Sequence, residues 1–409
     1  MSPNARSTAA VSLEQAAALI AGALAPLSAA AEAVPLAGAA GRVLARDVTA
    51  RVAQPPFDRS PLDGYALRAA DIAAARPGAP VALPVSQCLF AGQCPAGPLA
   101  PGTAARVMTG APVPPGADCV LRQEETDCGR ERVRLFAAVS AGANVCYAGE
   151  DIAAGSLLIA AGTRLEAVHV GLLAGQGMVQ AAVYPLPAAA LLPTGDELAA
   201  PGASLAPGQI YDSNGPMLAA RLAALGAVPA LQPAAGDDPA ALAARLDDLL
   251  ASYPLVITTG GVSVGQKDYL PEAVHRLGLQ VLFHGLAAKP GSPALAAARN
   301  GRVLLALSGN PFAAFATFEV LARPALARLS GVSGPALRRV SAVLDAPFPK
   351  ASAMRRLVRA RLAGGKVRPA AGCHSSGGIA ALAGCNCLLD IPAGSPPLRA
   401  GDPVEVILL

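Results

Sequence analysis

Apolar positions along the chain change rhythm twice, and the changes mark three regions. Residues 16–25 are apolar, and Ser12 with Gln15 reads as a capping box. An amphipathic helix is expected near 12–25. From there to about residue 186 the apolar runs are short. Clusters such as Gln54-Pro55-Pro56, Arg76-Pro77-Gly78 and Ala100-Pro101-Gly102 divide them. Short strands with tight turns follow from this, with a second helix near 165–176. From residue 187 strand-length apolar runs alternate with helical ones. Strands are expected at 188–192, 228–231, 255–258, 279–283 and 303–307. Helices are expected at 215–225, from the Asp238 cap with Pro239 to about 250, at 271–277 and at 311–329. Repeated alternation predicts a parallel, doubly wound sheet. After a linker at 331–335, short runs with Gly364-Gly365 and Gly377-Gly378 turns predict a small all-β domain. The fold class is thus multidomain α/β plus β, divided as 1–186, 187–334 and 335–409.

Composition narrows the picture. The 409 residues are 53% hydrophobic and 15% charged, which excludes wholesale disorder. Aromatics make up 3% and Trp is absent, so the cores must rest on Leu, Val and Ala. The net charge of +4 is spread out, apart from Arg355, Arg356, Arg359 and Arg361. Their alternation predicts a strand with one wet face. No stacking aromatics interleave, which argues against nucleic-acid binding. None of the eight cysteines is spaced C-x-x-C, so no zinc ribbon is expected. Cys385 and Cys387 are expected on one side of a strand, as small buried groups in a reducing compartment. The uncharged stretch 170–195 is broken by Gly175, Gln176, Gly177, Pro185, Pro187 and Pro193, so no membrane span is expected. The apolar N-terminal run lacks a basic flank and does not read as a leader. A soluble, cytoplasmic protein is expected. His169, His275, His284 and His374 form no metal-spaced pair, and no G-x-S-x-G elbow occurs.

Ligands of open parallel sheets bind beyond the carboxyl ends of the strands, so the residues that follow each strand test for a site. They are Thr194-Gly195-Asp196-Glu197, then Gly236-Asp237-Asp238, then residues 258–265, then Ser308-Gly309-Asn310-Pro311. The third carries Thr258, Thr259, Gly260, Gly261, Ser263 and Gly265, followed by Asp268. Adjacent glycines let backbone N–H groups approach an anion, and the hydroxyls add donors. The spacing is neither G-x-G-x-x-G nor a P-loop. Glu197, Asp237, Asp238 and Asp268 are expected to converge there, with Asp238 also capping its helix. Carboxylates beside a phosphate call for a cation between them, which points to Mg²⁺. Lys289 stands out because the chain has only four Lys against 28 Arg. Its setting, Lys289-Pro290-Gly291-Ser292-Pro293, is a stiffened loop suited to a compact positive charge. Earlier in the chain, Asp63-Gly64, Thr109-Gly110 and Gly149-Glu150-Asp151 form polar turns.

Taken in order, these segments resemble the molybdopterin molybdenumtransferase family, to which the C-terminal domain of gephyrin belongs. The likeness covers residues 57–66, 108–118, 149–152, 194–198, 209–214, 258–269, 289–291, 309–311 and 375–392. It implies a helical linker region with an inserted β-rich domain, an α/β molybdopterin-binding domain and a C-terminal β-barrel. It implies a homodimer whose site joins the α/β domain of one subunit to the β-rich domain of the other. The implied reaction is Mg²⁺-dependent insertion of molybdate into adenylylated molybdopterin with release of AMP. Other molybdenum cofactor biosynthesis proteins are implied as partners. Carried over, the functional positions are Asp63, Thr109, Asp151, Glu197, Asp237 or Asp238, Asp268, Lys289 and Pro311, with Glu197 and Asp268 holding the metal. Three departures stand out. Ser292 replaces a second lysine, Ser308 replaces a proline, and Cys146-Tyr147-Ala148 replace basic residues. Arg59 is the candidate replacement charge. Two of the departures remove positive charge near an anion site. The alternative implied is a weakened paralogue that carries molybdopterin without turning it over.

Overall fold

The computed structural model describes residues 10–25, 30–262, 269–334, 336–371 and 375–409. The chain divides into two compact units. One comprises Met1–Ala45, Ala161–Ala167 and Gln180–Leu409; the other comprises Arg46–Ala160 and Val168–Val179.

The larger unit is built on a six-stranded sheet. Its order is Val228–Leu231, Ala188–Pro193, Leu255–Thr259, Arg302–Leu307, Leu295–Arg299, Gln280–His284. The first four strands are parallel, as the alternating pattern predicts. Leu295–Arg299 was not expected, and it runs antiparallel to both neighbours. The sheet is therefore mixed rather than wholly parallel. Three consecutive alanines, Ala296, Ala297 and Ala298, give this strand almost no β-propensity signal. Both sheet faces are covered, so the central strands read as continuous apolar runs. Leu191, Ile257 and Leu305 pack on one side with Ile20, Leu218 and Phe318. Leu192, Val256 and Leu304 pack on the other with Leu246 and Val274. The helix Leu13–Ala23 has its capping box in place, with the Gln15 N–H donating to Ser12 Oγ at 3.1 Å.

The expected last helix is interrupted. Pro311–Thr317 and Arg323–Ser330 are α-helical, and Phe318–Ala322 between them is a π turn. Such turns mark inserted strain, often near functional sites. Here the turn buries Glu319 completely. Arg221 donates to it at 2.5 and 3.0 Å and Arg323 at 3.3 Å.

The C-terminal strands Arg339–Leu344, Arg355–Ala363, Lys366–Pro369, Cys387–Ile391 and Pro403–Leu408 form a small barrel, closed by pairing of Arg355–Ala363 with Cys387–Ile391. The expected wet face of Arg355–Ala363 is absent. Leu357 packs into the α/β core, while Val358 and Ala360 pack into the barrel core. Arg359 is fully buried between them. Cys385 precedes its strand rather than sharing a face with Cys387, because a short 3-10 turn, Ala380–Leu382, ends just before it.

Asp390, buried in the barrel wall, accepts from Arg355 Nε at 2.7 Å and from Arg339 Nη1 at 2.6 Å. Arg355 also reaches Glu14 at 2.5 Å, which ties the N-terminal helix to the barrel. Burial pushes the Asp390 carboxyl up, but hydrogen bonds from Arg355 and Arg339 outweigh it and hold the carboxyl below its ordinary value. A depressed carboxylate stabilises the fold above its unfolded-state pKa. That stabilisation is lost as pH falls through the folded-state value. Asp390→Asn is therefore expected to lose about 2–3 kcal/mol at pH 7. In urea titrations the gap to wild type should close towards pH 3. A gap unchanged between the two pH values would exclude this linkage.

The smaller unit holds a five-stranded sheet in the order Cys119–Arg122, Gly64–Leu67, Ala104–Val107, Val81–Leu89, Arg132–Leu135. Tyr65, Leu67, Leu121 and Leu135 form its core. Arg59 forms bridges to Pro112 and to Cys146, next to two of the unit's polar turns. The Arg59 N–H donates to the Cys146 carbonyl at 2.9 Å, and the Val113 N–H donates to the Asp58 carbonyl at 2.9 Å.

Candidate active site

The loops beyond Pro193, Leu231, Thr259 and Leu307 meet at one edge of the larger unit's sheet, as parallel strands require. The unexpected antiparallel strand brings a fifth. Leu295 pairs with Ala306 and with His284, so the connection between His284 and Leu295 lies at that same edge. Lys289 is on this connection. The loops surround a cleft of about 940 Å³, to which the barrel contributes Phe348, Arg356 and Ser376.

Close approach of backbones shapes the cleft. Gly260 has φ +98°, and a Cβ there would lie 2.5 Å from the Thr194 carbonyl oxygen. Only glycine lets the two strand-end loops cross so closely. Gly291 has φ +94°, and a Cβ there would lie 2.1 Å from Thr317 Cγ2. That contact seats the Lys289 loop against the last helix.

Several groups in the cleft already have partners. The Gly260 N–H donates to the Leu307 carbonyl at 3.0 Å. Phe312 and Ala313 N–H groups donate to the Ser376 carbonyl at 3.0 and 3.3 Å, so the first turn of the last helix is occupied. Asn214 Nδ2 donates to the Gly309 carbonyl at 2.7 Å. Among the described residues the Gly261 N–H has no acceptor. Glu197 likewise makes no hydrogen bond or ion pair with its side chain among them. Of the residues lining the cleft, Lys289 and Arg356 are cationic, while Glu197, Asp212 and Asp237 are acidic. The site therefore offers both charges across one opening, an arrangement suited to a phosphate ester with a cation.

Most expected residues reach this cleft. Glu197, Asp237, Thr259, Gly260, Gly261, Lys289, Ser308, Gly309, Asn310 and Pro311 line it. Thr258 is fully buried beneath it. Asp238 does not line it, because its carboxylate caps the helix Pro239–Ser252 by accepting from the Ala240 N–H at 2.9 Å. Asp196 braces the neighbouring loop, accepting from the Asp237 N–H at 3.1 Å. Ser263, Gly265 and Asp268 lie outside the described residues. Asp212, Asn214, Phe348, Arg356 and Ser376 line the cleft without having been expected. Asp212-Ser213-Asn214 opens a helix, and that polar run is a signal a reader of strand-end loops alone overlooks.

Asp63, Thr109 and Asp151 belong to the smaller unit. Thr109 donates both its N–H and its Oγ1 to Asp63 Oδ1, each at 2.8 Å. These bonds, the backbone one foremost, hold the Asp63 carboxyl below its ordinary range. Asp63 thus stays ionised and fixes the Thr109 turn. Asp151 is exposed, and its N–H donates to the Gln54 carbonyl at 3.1 Å.

Three family models cover most of the chain. Residues 11–177 match the MoeA N-terminal region (domain I and II), and 341–409 match the MoeA C-terminal region (domain IV). Residues 190–328, which carry most of the cleft, match a "Probable molybdopterin binding domain". Molybdopterin molybdenumtransferase 2 of Mycobacterium tuberculosis is 39% identical over 383 residues, covering 91% of this chain and 94% of that protein. The chain belongs to the molybdopterin molybdenumtransferase family. Among its relatives, the Bacillus subtilis molybdopterin molybdenumtransferase is 35% identical over 375 residues, covering 90% of this chain and 87% of that protein. The crystal structure of the molybdopterin biosynthesis moeA protein from Pyrococcus horikoshii OT3 superposes with a TM-score of 0.86 at 28% identity, covering 98% of this chain and 100% of that one. Molybdopterin molybdenumtransferases are enzymes of molybdenum cofactor biosynthesis, so the cleft belongs to a biosynthetic transferase. No helix among the described residues is long and apolar enough to cross a membrane.

Proposed function

We propose that this chain inserts molybdate into adenylylated molybdopterin and releases AMP, working in the cytoplasm with Mg²⁺ and as a homodimer. One observation carries the reading: Lys289 and Glu197, whose side chain has no partner among the described residues, line one cleft in the segment that matches a molybdopterin-binding domain. Both substrates are anions. Lys289 binds and orients an oxyanion, and the Gly261 N–H adds a backbone donor beside it. Mg²⁺ ordinarily takes one or two carboxylates together with substrate phosphate. Among the described residues no cluster of three potential ligands exists, and Asp268 lies outside them. Glu197 and Asp237 fit the smaller share that such a substrate-bridged ion needs. When bound, the ion would supply charge neutralisation at the leaving phosphate. In the homodimer, Asp63, Thr109 and Asp151 of the partner would complete the site.

The test is AMP release by the purified chain given molybdate, Mg²⁺ and adenylylated molybdopterin. Mg²⁺-dependent release well above a no-protein control is expected, and release at the control rate would refute the reading. Ser292 favours a second outcome. Its hydroxyl donates to the Ala288 carbonyl at 2.7 Å, so it does not replace a free cation. Tight molybdopterin binding without AMP release would identify a carrier instead.

A further inference from the structure

Lys289 and Arg356 are register partners. The two-residue strand Ala288–Lys289 runs parallel to the barrel strand Arg355–Ala363, setting Ala288 opposite Arg355 and Lys289 opposite Arg356. Both side chains line the cleft. Like charges directly opposed across a strand pair are destabilising unless something of opposite sign lies between them. Neither has a carboxylate within ion-pair distance among the described residues, whereas Arg339 and Arg355 are both bound to Asp390.

The Arg356 head is held in place. Its guanidinium carbon lies 5.9 Å from the centre of the Phe348 ring, a cation–π distance. Its Nε is 3.4 Å from the buried Ser352 Oγ. The two terminal nitrogens have no acceptor among the described residues. A planar fork with both tips open matches two oxygens of a tetrahedral oxyanion.

We propose that Arg356 is an oxyanion-binding residue of the cleft, acting beside Lys289 on a phosphoryl or molybdate group. Which of the two anions it holds rests on the function proposed above. That some oxyanion lies there rests on the pairing alone.

The test uses the full chain and two probes, molybdate and AMP, each titrated separately by calorimetry. Arg356→Gln is expected to weaken at least one of them by about ten- to a hundredfold, the loss of a charge-assisted hydrogen bond. Loss for molybdate alone assigns Arg356 to the metal oxyanion, loss for AMP alone to the phosphoryl group, and loss for both to a shared position. Arg361→Gln removes an exposed charge from the same strand and should leave both affinities unchanged. Adding Ser292→Lys to Arg356→Gln should recover at least about tenfold, since residue 292 lines the same cleft. Should the glutamine variant fail to fold, Arg356→Lys keeps the charge but loses the fork, and an intermediate loss is expected. Wild-type affinity in the Arg356 variants, or no binding of either probe by the wild-type chain, overturns the proposal. Arg356-dependent binding without AMP release from adenylylated molybdopterin would refute the proposed reaction and leave this inference standing.

Discussion

Lys289→Ala is expected to slow AMP release by about a hundredfold or more, the usual cost of removing one fixed donor to a developing anionic charge. The loss should fall on the turnover number as well as on substrate affinity. Lys289 is exposed at the cleft and makes no ion pair among the described residues, so its removal leaves no buried partner stranded. Its thermal midpoint should therefore match that of wild type within a few degrees. Single-turnover AMP release, read beside thermal unfolding, separates the two effects. Wild-type turnover in a folded Lys289→Ala chain would remove Lys289 from the proposed mechanism.

Arg359→Ala should act in the opposite order, on stability first. Arg359 is fully buried, its guanidinium stacks 4.2 Å from the centre of the Phe312 ring, and Nη2 donates to the Ser375 carbonyl at 3.2 Å. A further bond runs from Nη1 to the Gly378 carbonyl. Those carbonyls flank Ser376 and Gly377, which line the cleft. Truncation leaves a cavity under the Phe312 ring and removes two charge-assisted bonds to the loop, a loss of about 3–5 kcal/mol. Urea unfolding measures it directly, and a loss below about 1 kcal/mol would show that the loop is held by other means. Arg359→Lys should recover only part, since one ammonium cannot both stack and span the two carbonyls.

These two residues differ in how far sequence alone discloses them. Lys289 stands out because lysine is rare in this chain and its Pro- and Gly-rich setting is stiff. The loops after Pro193, Thr259 and Leu307 disclose themselves through glycines and hydroxyls at strand ends, which a parallel sheet must bring together. Arg356 and Arg359 stay hidden because alternation in a strand shows a wet face only when one side meets solvent. Here Leu357 faces the α/β core and Val358 the barrel core, so both sides are packed. The strand Leu295–Arg299 stays hidden for a different reason: alanine marks neither strand nor helix boundary clearly when it fills a fully buried position. Asp238 is legible in both of its readings: the cap expected from Asp238-Pro239 is present in its bond to the Ala240 N–H, and a carboxylate held there does not line the cleft.

The pairing of Ala288–Lys289 with the barrel strand has a thermodynamic side. One cation of the cleft comes from the α/β sheet edge and the other from the barrel, on strands that pair over two residues. An anion held between them would bind both bodies at once, so its binding free energy would also be adhesion between them. By reciprocity, the anion would strengthen docking of the barrel on the sheet by the same factor as docking strengthens binding of the anion. Substitutions that disturb how the barrel wall holds Arg355, the neighbour of Arg356, Asp390→Asn for instance, would then lower affinity where they undock the barrel, as well as lowering stability.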